Sequence, residues 1–299
     1  MRLMRCLLVS GSAAVMAGSL MLAGESAVTT AAAPGRTGEL AAHQPSARFL
    51  AKARTALVRY LRNSDPLISA IKPGTPNDRP TNTPLTSSFN WSGYADTSTT
   101  TGAFTQVSGR WTTPRVRCTR EDEITSEWVG LDGYSSLTVE QDGTISWCFE
   151  GQPTYFTWYE MYPASTVEVG DSLRPGDTVA AKVSRSGTSY RLSLTDFTRP
   201  ANSFSVTKKC ALTTCEDTSA EWIAERPALQ VGIAPLADYS PWTLSEGSET
   251  ASGTPGTISS YSSNNQIDMV DATDTYPLST TSGLNAPGTR FTTHWNDSY

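Results

Sequence analysis

An antiparallel all-β fold, either a sandwich or a barrel, is predicted for the chain after Phe89. Short runs rich in Thr, Val, Ser and aromatic residues alternate there with Gly, Pro, Asn and Asp, as strands alternate with turns. Helical periodicity is nearly absent from the same region, and many strands without interleaved helices are typical of β-sandwiches and barrels. Residues 184–189 join two strand-like runs and are compatible with a hairpin connection.

The strand signals are short and spaced along the body. The clearest are Phe104–Trp111, Ser126–Val129, Tyr155–Tyr162, Thr178–Val183 and Tyr190–Asp196. Because successive side chains of a strand point to opposite faces, the third run is expected to place Phe156, Trp158, Glu160 and Tyr162 on one face. A carboxylate between aromatic side chains is common in substrate grooves, whereas a solvent-facing strand is the plainer interpretation. Residues 245–265, rich in Ser, Thr and Gly, are predicted to form a long loop.

Residues 1–33 are predicted to be a signal peptide. Arg2 and Arg5 precede an apolar run from Leu7 to Ala23, and the small residues 31–33 offer a cleavage region. The run is too short and too broken by Gly and Ser for a confident membrane span, although a retained anchor is the alternative. The sequence therefore predicts a secreted, extracellular protein without a membrane partner once the signal is removed.

Residues 34–84 are predicted to be a basic propeptide and linker ahead of a body at residues 85–299. The periodicity from Arg48 to Arg62 indicates a helix, and Ile71–Ser88 has the Pro/Thr/Asn/Ser composition of an exposed linker. Residues 1–84 carry ten Lys/Arg and four Asp/Glu (+6), and the body carries thirteen and twenty-five (−12). One hypothesis is that the helix covers an acidic cleft and leaves when carboxylates are protonated; the other is a solvated extension with no such role.

Four cysteines remain after the predicted signal peptide, which itself contains Cys6. An even number of cysteines in an exported chain suggests two disulfides, and four cysteines allow three pairings. The order in sequence favours Cys118–Cys148 and Cys210–Cys215, because each bridge then closes its own loop without crossing the other.

The composition argues against several kinds of site. The chain has two histidines, His43 and His294, so a Ser/His or Cys/His site would depend on the second, and zinc ligands are not clustered. No Gly-rich phosphate loop follows a strand, and no Asp-Thr-Gly or Asp-Ser-Gly pair occurs. The acidic body disfavours nucleic acid as a partner. We therefore expect no metal and no cofactor, and a monomer as the default for a small secreted hydrolase.

Several motifs, in order, resemble those of the glutamic peptidases (eqolisins), with the pattern of a bacterial-type member that has a signal and a propeptide. They span roughly residues 89–240 and are Asn90–Tyr94, Trp111–Pro114, Trp128–Gly133, Gln141–Thr144, Trp158–Pro163 and Ala220–Ile223. The resemblance implies a concanavalin-like (lectin-like) antiparallel β-sandwich of two curved sheets, preceded by a helical prosegment. It also implies an endopeptidase that takes polypeptide substrates.

The resemblance places Gln141 at the family's catalytic glutamine and Glu221 at its catalytic glutamate. The positions that it implies for lining or supporting the cleft are Trp128, Asp132, Trp158, Glu160 and Tyr162. Fungal members have Asp where this chain has Ile145 or its neighbours, and again where it has Phe156, so the supporting hydrogen-bond network is expected to differ.

The expected chemistry uses one carboxylate and one amide. Glu221 would act as general base on a water, and the non-titrating Gln141 would stabilise the oxyanion. A glutamate with an ordinary pKa of about 4.3 would confer activity in acid. One alternative is a polysaccharide-binding or glycoside-hydrolysing β-sandwich; glycoside hydrolysis would need a second carboxyl group. Another alternative is an adhesive surface domain without catalysis.

Overall fold

The computed structural model describes residues 45–62, 71–73, 85–229 and 232–298, so the predicted signal peptide lies outside the described residues. Within them, no helix has both the length and the apolar composition needed to cross a membrane. The helical elements are α1 (Ala47–Arg62) and one 3-10 turn, η1 (Pro200–Asn202). The strands are β1 (Ile71–Pro73), β2 (Leu85–Ser88), β3 (Trp91–Thr97), β4 (Phe104–Thr112), β5 (Val116–Arg117), β6 (Ile124–Leu131), β7 (Val139–Phe149), β8 (Gln152–Tyr162), β9 (Val167–Gly170), β10 (Thr178–Ser186), β11 (Ser189–Asp196), β12 (Phe204–Lys209), β13 (Ser219–Glu225), β14 (Ala228–Leu229), β15 (Gly232–Ile233), β16 (Asp238–Tyr239), β17 (Trp242–Ala251), β18 (Thr254–Thr257), β19 (Asn264–Val270), β20 (Pro277–Thr281) and β21 (Phe291–Trp295).

Two antiparallel layers form a β-sandwich. The first, called here the cleft sheet, has the strand order β9–β8–β7–β6–β13–β3–β19. The second, the back sheet, has the order β12–β11–β10–β4–β17–β21–β20. Strand β19 also pairs with β20 and so connects the two layers at one side. The predicted all-β sandwich is confirmed.

Alternation along each strand divides the side chains of the cleft sheet between two environments. Val129 and Leu131 of β6 point toward the back sheet and pack with Val107 and Trp111 of β4 in the main core. Trp128, which precedes Val129, points the other way into a second apolar cluster on the far face of the cleft sheet. The catalytic candidates lie on this far face, because Gln141 and Glu221 share the register of that cluster.

Helix α1 lies on the far face of the cleft sheet. Its buried side chains Ala53, Leu57 and Leu61 recur every four residues, which puts them on one stripe of the helix. They belong to the same apolar cluster as Trp128. The helix predicted over residues 48–62 is therefore present, and its apolar stripe is its contact surface.

Two local predictions were wrong. The predicted loop at residues 245–265 is largely strand, because β17 and β18 form a hairpin there and β19 begins at Asn264. Hydroxyl side chains are compatible with a partly solvated strand: Ser108 and Ser248 contact each other across β4 and β17, with their Oγ atoms 2.8 Å apart. The predicted linker at 71–88 contains β1 and β2, which pair with each other, while β2 joins β19 in parallel. Residues 74–84 of that linker lie outside the described residues.

Both predicted disulfides are present, Cys118–Cys148 and Cys210–Cys215. The first joins the segment after β5 to β7, and the second closes the connection between β12 and β13. The second bridge therefore lies a few residues before the strand that carries Glu221.

Candidate active site

The register of three adjacent strands brings the two predicted catalytic side chains to one place. Gln141 of β7 pairs with Gly130 of β6, and Gly130 pairs in turn with Glu221 of β13. Residues in direct register point to the same face, so both side chains rise from the far face of the cleft sheet. Their Cα atoms are two strand spacings apart, or about 9.6 Å, which leaves room for a small reacting group between the side chains.

Gly130 keeps the space between them free. A Cβ atom at this position would lie 2.9 Å from Cζ3 of Trp128 and 3.2 Å from Cβ of Gln141. A larger side chain at this position would project between the amide and the carboxyl group. The Trp-Val-Gly run of the sequence thus has a physical role: its glycine separates the two polar groups without filling the gap.

Gln141 is oriented by the next strand. Glu160 of β8 is its register partner, and the Nε2 atom of Gln141 donates to Oε2 of Glu160 at 2.7 Å. The hydroxyl of Thr166 donates to the other oxygen of Glu160 at 2.6 Å. Burial raises the pKa of Glu160, while the bonds from Thr166 and Gln141 lower it. One N–H of the Gln141 amide is held in this way, and its second N–H remains available to a ligand.

Glu221 is fully buried, with 0% of the residue exposed. Neither carboxylate oxygen accepts a hydrogen bond of ordinary length from the described residues. Burial raises the pKa of Glu221 well above its usual value; the hydroxyl of Ser219 lowers it, and the charges of Asp132, Glu140 and Asp96 raise it. The pKa of Glu221 in this structure is therefore displaced upward from the ordinary value expected from the sequence.

Asp132 supports the site rather than lining the cleft. Its backbone has φ of 64° at the end of β6, and its carboxylate accepts the backbone N–H groups of Asp217 and Thr218 at 2.7 and 2.9 Å. The hydroxyls of Thr218 and Thr138 donate to the same carboxylate. These bonds fix the start of β13 against the end of β6, and thereby the register of Glu221 opposite Gly130.

Asp132, Glu140 and Asp217 could together approach a metal ion, because one oxygen from each lies within 4.8 Å of the others. The surrounding protein already balances their charge. Arg185 lies 3.1 Å from Asp217, and burial together with the two neighbouring carboxylates raises the pKa of Glu140 well above its usual value. We assign this cluster a structural role beneath the site.

Trp128 and Glu225 form a second polar contact at the cleft. The Nε1 atom of Trp128 donates to Oε2 of Glu225 at 2.8 Å, and Nδ2 of Asn90 donates to Oε1 at 3.2 Å. Burial, aided by the charge of Glu160, raises the pKa of Glu225 to about 7 although the bond from Trp128 lowers it. The sequence predicted no role for Glu225. The signal in the sequence was the position of Glu225 four residues after Glu221 on one strand, which puts both side chains on the same face.

A cavity of ≈ 50 Å³ adjoins Gln141 and is lined on one side by Leu61 of α1; Glu221 is not among its lining residues. Its polar wall is formed by Gln141, Glu160 and Glu225 and its apolar wall by Ile145 and Trp158, and Leu61 of the helix closes it. Trp158 lines this cavity, and its role in binding substrate stays a prediction. Tyr162 is half-buried at the edge of the same apolar cluster. Ile145 and Phe156, at or near which the resemblance implies acidic residues in fungal members, are register partners in this cluster.

Helix α1 covers the cleft mainly through apolar and aromatic contacts. Tyr60 stacks on Trp147 with ring centroids 5.8 Å apart, and Phe49 contacts Phe149 at 5.5 Å. Basic residues contribute at the rim, where Lys52 pairs with Glu150 and Arg54 with Glu168. The charge pattern of the sequence suggested a mainly electrostatic contact. In the structure the ion pairs are only part of the contact between α1 and the cleft sheet.

Comparisons with known proteins agree with this arrangement. The family model described as "Peptidase A4 family" matches residues 89–290. Aspergillopepsin-2 of Aspergillus niger is 28% identical over 221 residues, covering 65% of this chain and 73% of that protein.

Solved structures show the same fold. Scytalido-glutamic peptidase with a transition state analog inhibitor superposes with a TM-score of 0.58 at 21% identity, over 69% of this chain and 98% of that one. SCP-B, a member of the eqolisin family in a complex with the tripeptide Ala-Ile-His, gives a TM-score of 0.54 at 20% identity with the same coverage. The match of the family model over more than half of the sequence shows that the chain belongs to the peptidase A4 family and is a glutamic endopeptidase, or eqolisin.

Proposed function

We propose that the chain is a secreted endopeptidase that hydrolyses polypeptides in acid with Gln141 and Glu221 as its catalytic dyad. The observation that carries the proposal is the row Gln141–Gly130–Glu221 across three strands, with an amide and a carboxyl group facing one gap. Export is supported by the two disulfides, which persist in oxidising compartments.

The reaction divides between the two groups. Ionised Glu221 takes a proton from a water held in the gap, and the oxygen of this water attacks the scissile carbonyl carbon. The carbonyl oxygen becomes an oxyanion, to which the free N–H of Gln141 donates a hydrogen bond. When the C–N bond breaks, protonated Glu221 returns its proton to the departing nitrogen. Glu160 keeps the amide in place by accepting its other N–H.

Glu221 has to be ionised to begin this cycle, and the covered state opposes ionisation. Burial is the largest cause of its raised pKa, so access of water to the cleft would lower the pKa toward the ordinary value of about 4.3. The burial that keeps substrate from Glu221 therefore also favours its protonated form. Helix α1 places Leu61 in the wall of the cavity beside Gln141, which favours an inhibitory propeptide over the alternative of a solvated extension.

If protonation alone released α1, the buried carboxyl groups of the cleft would need lowered pKa values. Their pKa values are raised instead. Glu225 has a pKa of about 7 in the covered state, and those of Glu160 and Glu221 are also raised by burial. A carboxyl group whose pKa is higher in the covered state than in the uncovered state stabilises the covered state when it is protonated. This stabilisation is complete at pH values below the uncovered pKa and is lost as the pH rises through the covered pKa. Acid therefore tightens the contact of α1, and release requires cleavage of the chain between α1 and β2.

The first test is Glu221→Gln. We expect kcat on a peptide substrate at pH 3 to 5 to fall by about 10²–10⁴-fold, because a neutral amide cannot accept the proton of water. Glu216→Gln is the matched control, since Glu216 is exposed five residues earlier and should retain activity. Turnover by Glu221→Gln at the rate of the unchanged chain would remove Glu221 from the role of base.

The second test is Gln141→Ala. Because the amide is proposed to act on the oxyanion, kcat should fall by about 10²–10³-fold with little change in KM. Gln152→Ala, at an exposed position of β8, serves as the control. An effect confined to KM would indicate that Gln141 only binds substrate.

The third test concerns the covering helix. Leu57→Ala removes a fully buried side chain from α1, a change that typically costs 2–5 kcal/mol. The full chain carrying it should gain peptidase activity at pH 4 sooner than the unchanged chain, as followed by fluorogenic peptide hydrolysis and by gel. Arg59→Ala, on the exposed side of α1, should activate at the normal rate.

Equal activation times for all three chains would contradict an inhibitory contact. The pH dependence gives a second criterion, because the lag before activity in the Leu57→Ala chain should shorten from pH 4 toward pH 6.5 if covering is favoured by protonation. A full-length chain that is already fully active would reject the propeptide proposal.

A further inference from the structure

We propose that the outer face of the back sheet binds an acidic polysaccharide. Arg110, Lys182 and Arg290 would hold its sulfate or carboxylate groups, and the serines and threonines between them would hold its hydroxyl groups. This face lies on the side of the sandwich opposite the cleft, so a chain bound there would leave the cleft free for a peptide. The proposal therefore goes beyond the peptidase activity and does not depend on it.

The charge of this face is opposite in sign to that of the body. Alternation along the back-sheet strands points one set of side chains into the main core and the other set outward. Among the described residues, the outward-facing cations of β4, β10, β11, β12 and the start of β21 are Arg110, Lys182, Arg191, Lys209 and Arg290. Glu246 is the outward-facing carboxylate of β17. The body as a whole carries thirteen Lys/Arg against twenty-five Asp/Glu, so this face is a local region of attraction for anions.

Three of these cations lie close together at the centre of the face. Arg290, Ser245 and Arg110 occupy one row across β21, β17 and β4. Lys182 of β10 pairs with Ser108, which lies two residues before Arg110 on β4. The Cα atoms of Arg110 and Arg290 are therefore two strand spacings apart, or about 9.6 Å, and those of Arg110 and Lys182 are about 8 Å apart. Such spacings suit charged groups that recur along a sugar chain.

The central cations are available to a ligand. Lys182 and Arg290 are exposed, and neither forms an ion pair with a carboxylate in the described part of the chain. The Nη1 atom of Arg110 lies 3.4 Å from Oε1 of Glu246, and its guanidinium lies 4.7 Å from the ring centre of Phe197. The Glu246 side chain is 69% exposed, and an exposed pair of this kind is weak, so an anionic ligand can compete for Arg110.

Two surface depressions meet at Arg110. The first, of ≈ 430 Å³, has Arg110 and Arg290 in its wall, and the second, of ≈ 250 Å³, has Arg110 and Lys182. Their hydroxyl-bearing lining residues include Thr112, Thr178, Thr243 and Ser245 in the first and Ser193 and Thr195 in the second. The second also contains Ala180. Short side chains between long cationic ones therefore leave two adjoining hollows on an otherwise extended sheet.

The chemistry of the two depressions matches an acidic sugar chain. Ser and Thr hydroxyls donate and accept hydrogen bonds, as sugar hydroxyls do, and the Arg fork binds carboxylate or sulfate oxygens in pairs. Phe197, 54% exposed beside Arg110, offers an apolar ring to the nonpolar face of a sugar. A single-stranded nucleic acid would need several exposed aromatic rings for stacking, and a membrane would need several exposed apolar side chains. The residues that line the two depressions supply neither, since Trp111 is buried.

The first test measures binding of the full chain to labelled polysaccharides at pH 5, with chain length checked by gel. The probes are dextran sulfate, polygalacturonate and neutral dextran, because sulfate and carboxylate groups are ionised at this pH. We expect binding to one or both of the anionic chains, weakening as salt is added, and no binding to neutral dextran. Binding to dextran sulfate alone would assign sulfate as the anionic group, and binding to polygalacturonate alone would assign carboxylate. Equal binding to neutral dextran, or no binding to either anionic chain, would overturn the proposal.

The second test removes the three central cations. The chain with Arg110→Gln, Lys182→Gln and Arg290→Gln should bind the anionic polysaccharide with a Kd raised by about 10- to 100-fold. The matched control loses the same charge from exposed positions of α1 through the changes Arg48→Gln, Lys52→Gln and Arg59→Gln, and its Kd should be nearly unchanged.

Equal weakening in the two chains would show a general effect of net charge and overturn the assignment of the site. Duplex DNA or anionic lipid vesicles that bind the unchanged chain as tightly as the polysaccharide, and lose binding in the first chain, would replace the proposed partner. The temperature of thermal unfolding of the first chain should match that of the unchanged chain, which shows that the fold is intact.

A third test predicts tighter binding and keeps the proposal open to refutation if the triple variant does not fold. Glu246→Gln removes the carboxylate that competes for Arg110, so the Kd for the anionic polysaccharide should fall by about two- to fivefold. Glu216→Gln, an equal change at an exposed position before β13, should leave the Kd unchanged. An unchanged or raised Kd in Glu246→Gln would contradict a site centred on Arg110.

Discussion

The register of β7, β6 and β13 is the constraint on which the site depends. A shift of one residue in any of the three strands would send Gln141 or Glu221 into the core between the sheets. Asp132 secures this register by accepting two backbone N–H groups at the start of β13. Gly130 supplies the other requirement. It lies between Gln141 and Glu221 in the same register row and leaves a gap there, next to the large side chain of Trp128.

Burial raises the pKa values of carboxyl groups in the covered chain as well as stabilising the fold. Leu61 of α1 lines the cavity that also has Glu160 and Glu225 in its wall, and for both carboxyl groups burial is the largest cause of a raised pKa. Covering and protonation therefore favour each other. An acid medium holds the precursor closed until its chain is cut, while the opened cleft regains ordinary carboxyl groups suited to catalysis in acid. The Arg54–Glu168 pair adds an ionic contact at the rim of this surface.

The sequence predicts the strands with strong alternation and the helix with a clear apolar period, because both patterns are local. It also predicts which residues of the β8 run share a face, since alternation follows from the strand geometry alone. The resemblance to the eqolisins directed attention to Gln141 and Glu221, which neither composition nor spacing distinguishes from surface residues. The pairing of the four cysteines followed from their order and is confirmed.

What could not be predicted depends on tertiary contacts. The strands β17 and β18 are rich in Ser and Thr, and their hydroxyls find partners only when β4 lies alongside. The contact of α1 with the cleft appears in the sequence as a charge contrast, but apolar packing on Trp147 and Phe149 dominates it. The raised pKa of Glu221 results mainly from burial, which a sequence pattern does not contain.

The most direct test of the central claim is a crystal structure of the acid-activated chain with a peptide whose scissile amide is replaced by a tetrahedral hydroxyl-bearing carbon. We predict that this hydroxyl lies between Glu221 and Gln141, with one carboxylate oxygen and the Nε2 atom each about 2.6–3.2 Å away. A hydroxyl centred on Glu160 or Glu225, with Glu221 still out of contact with the ligand, would contradict the assignment of the dyad.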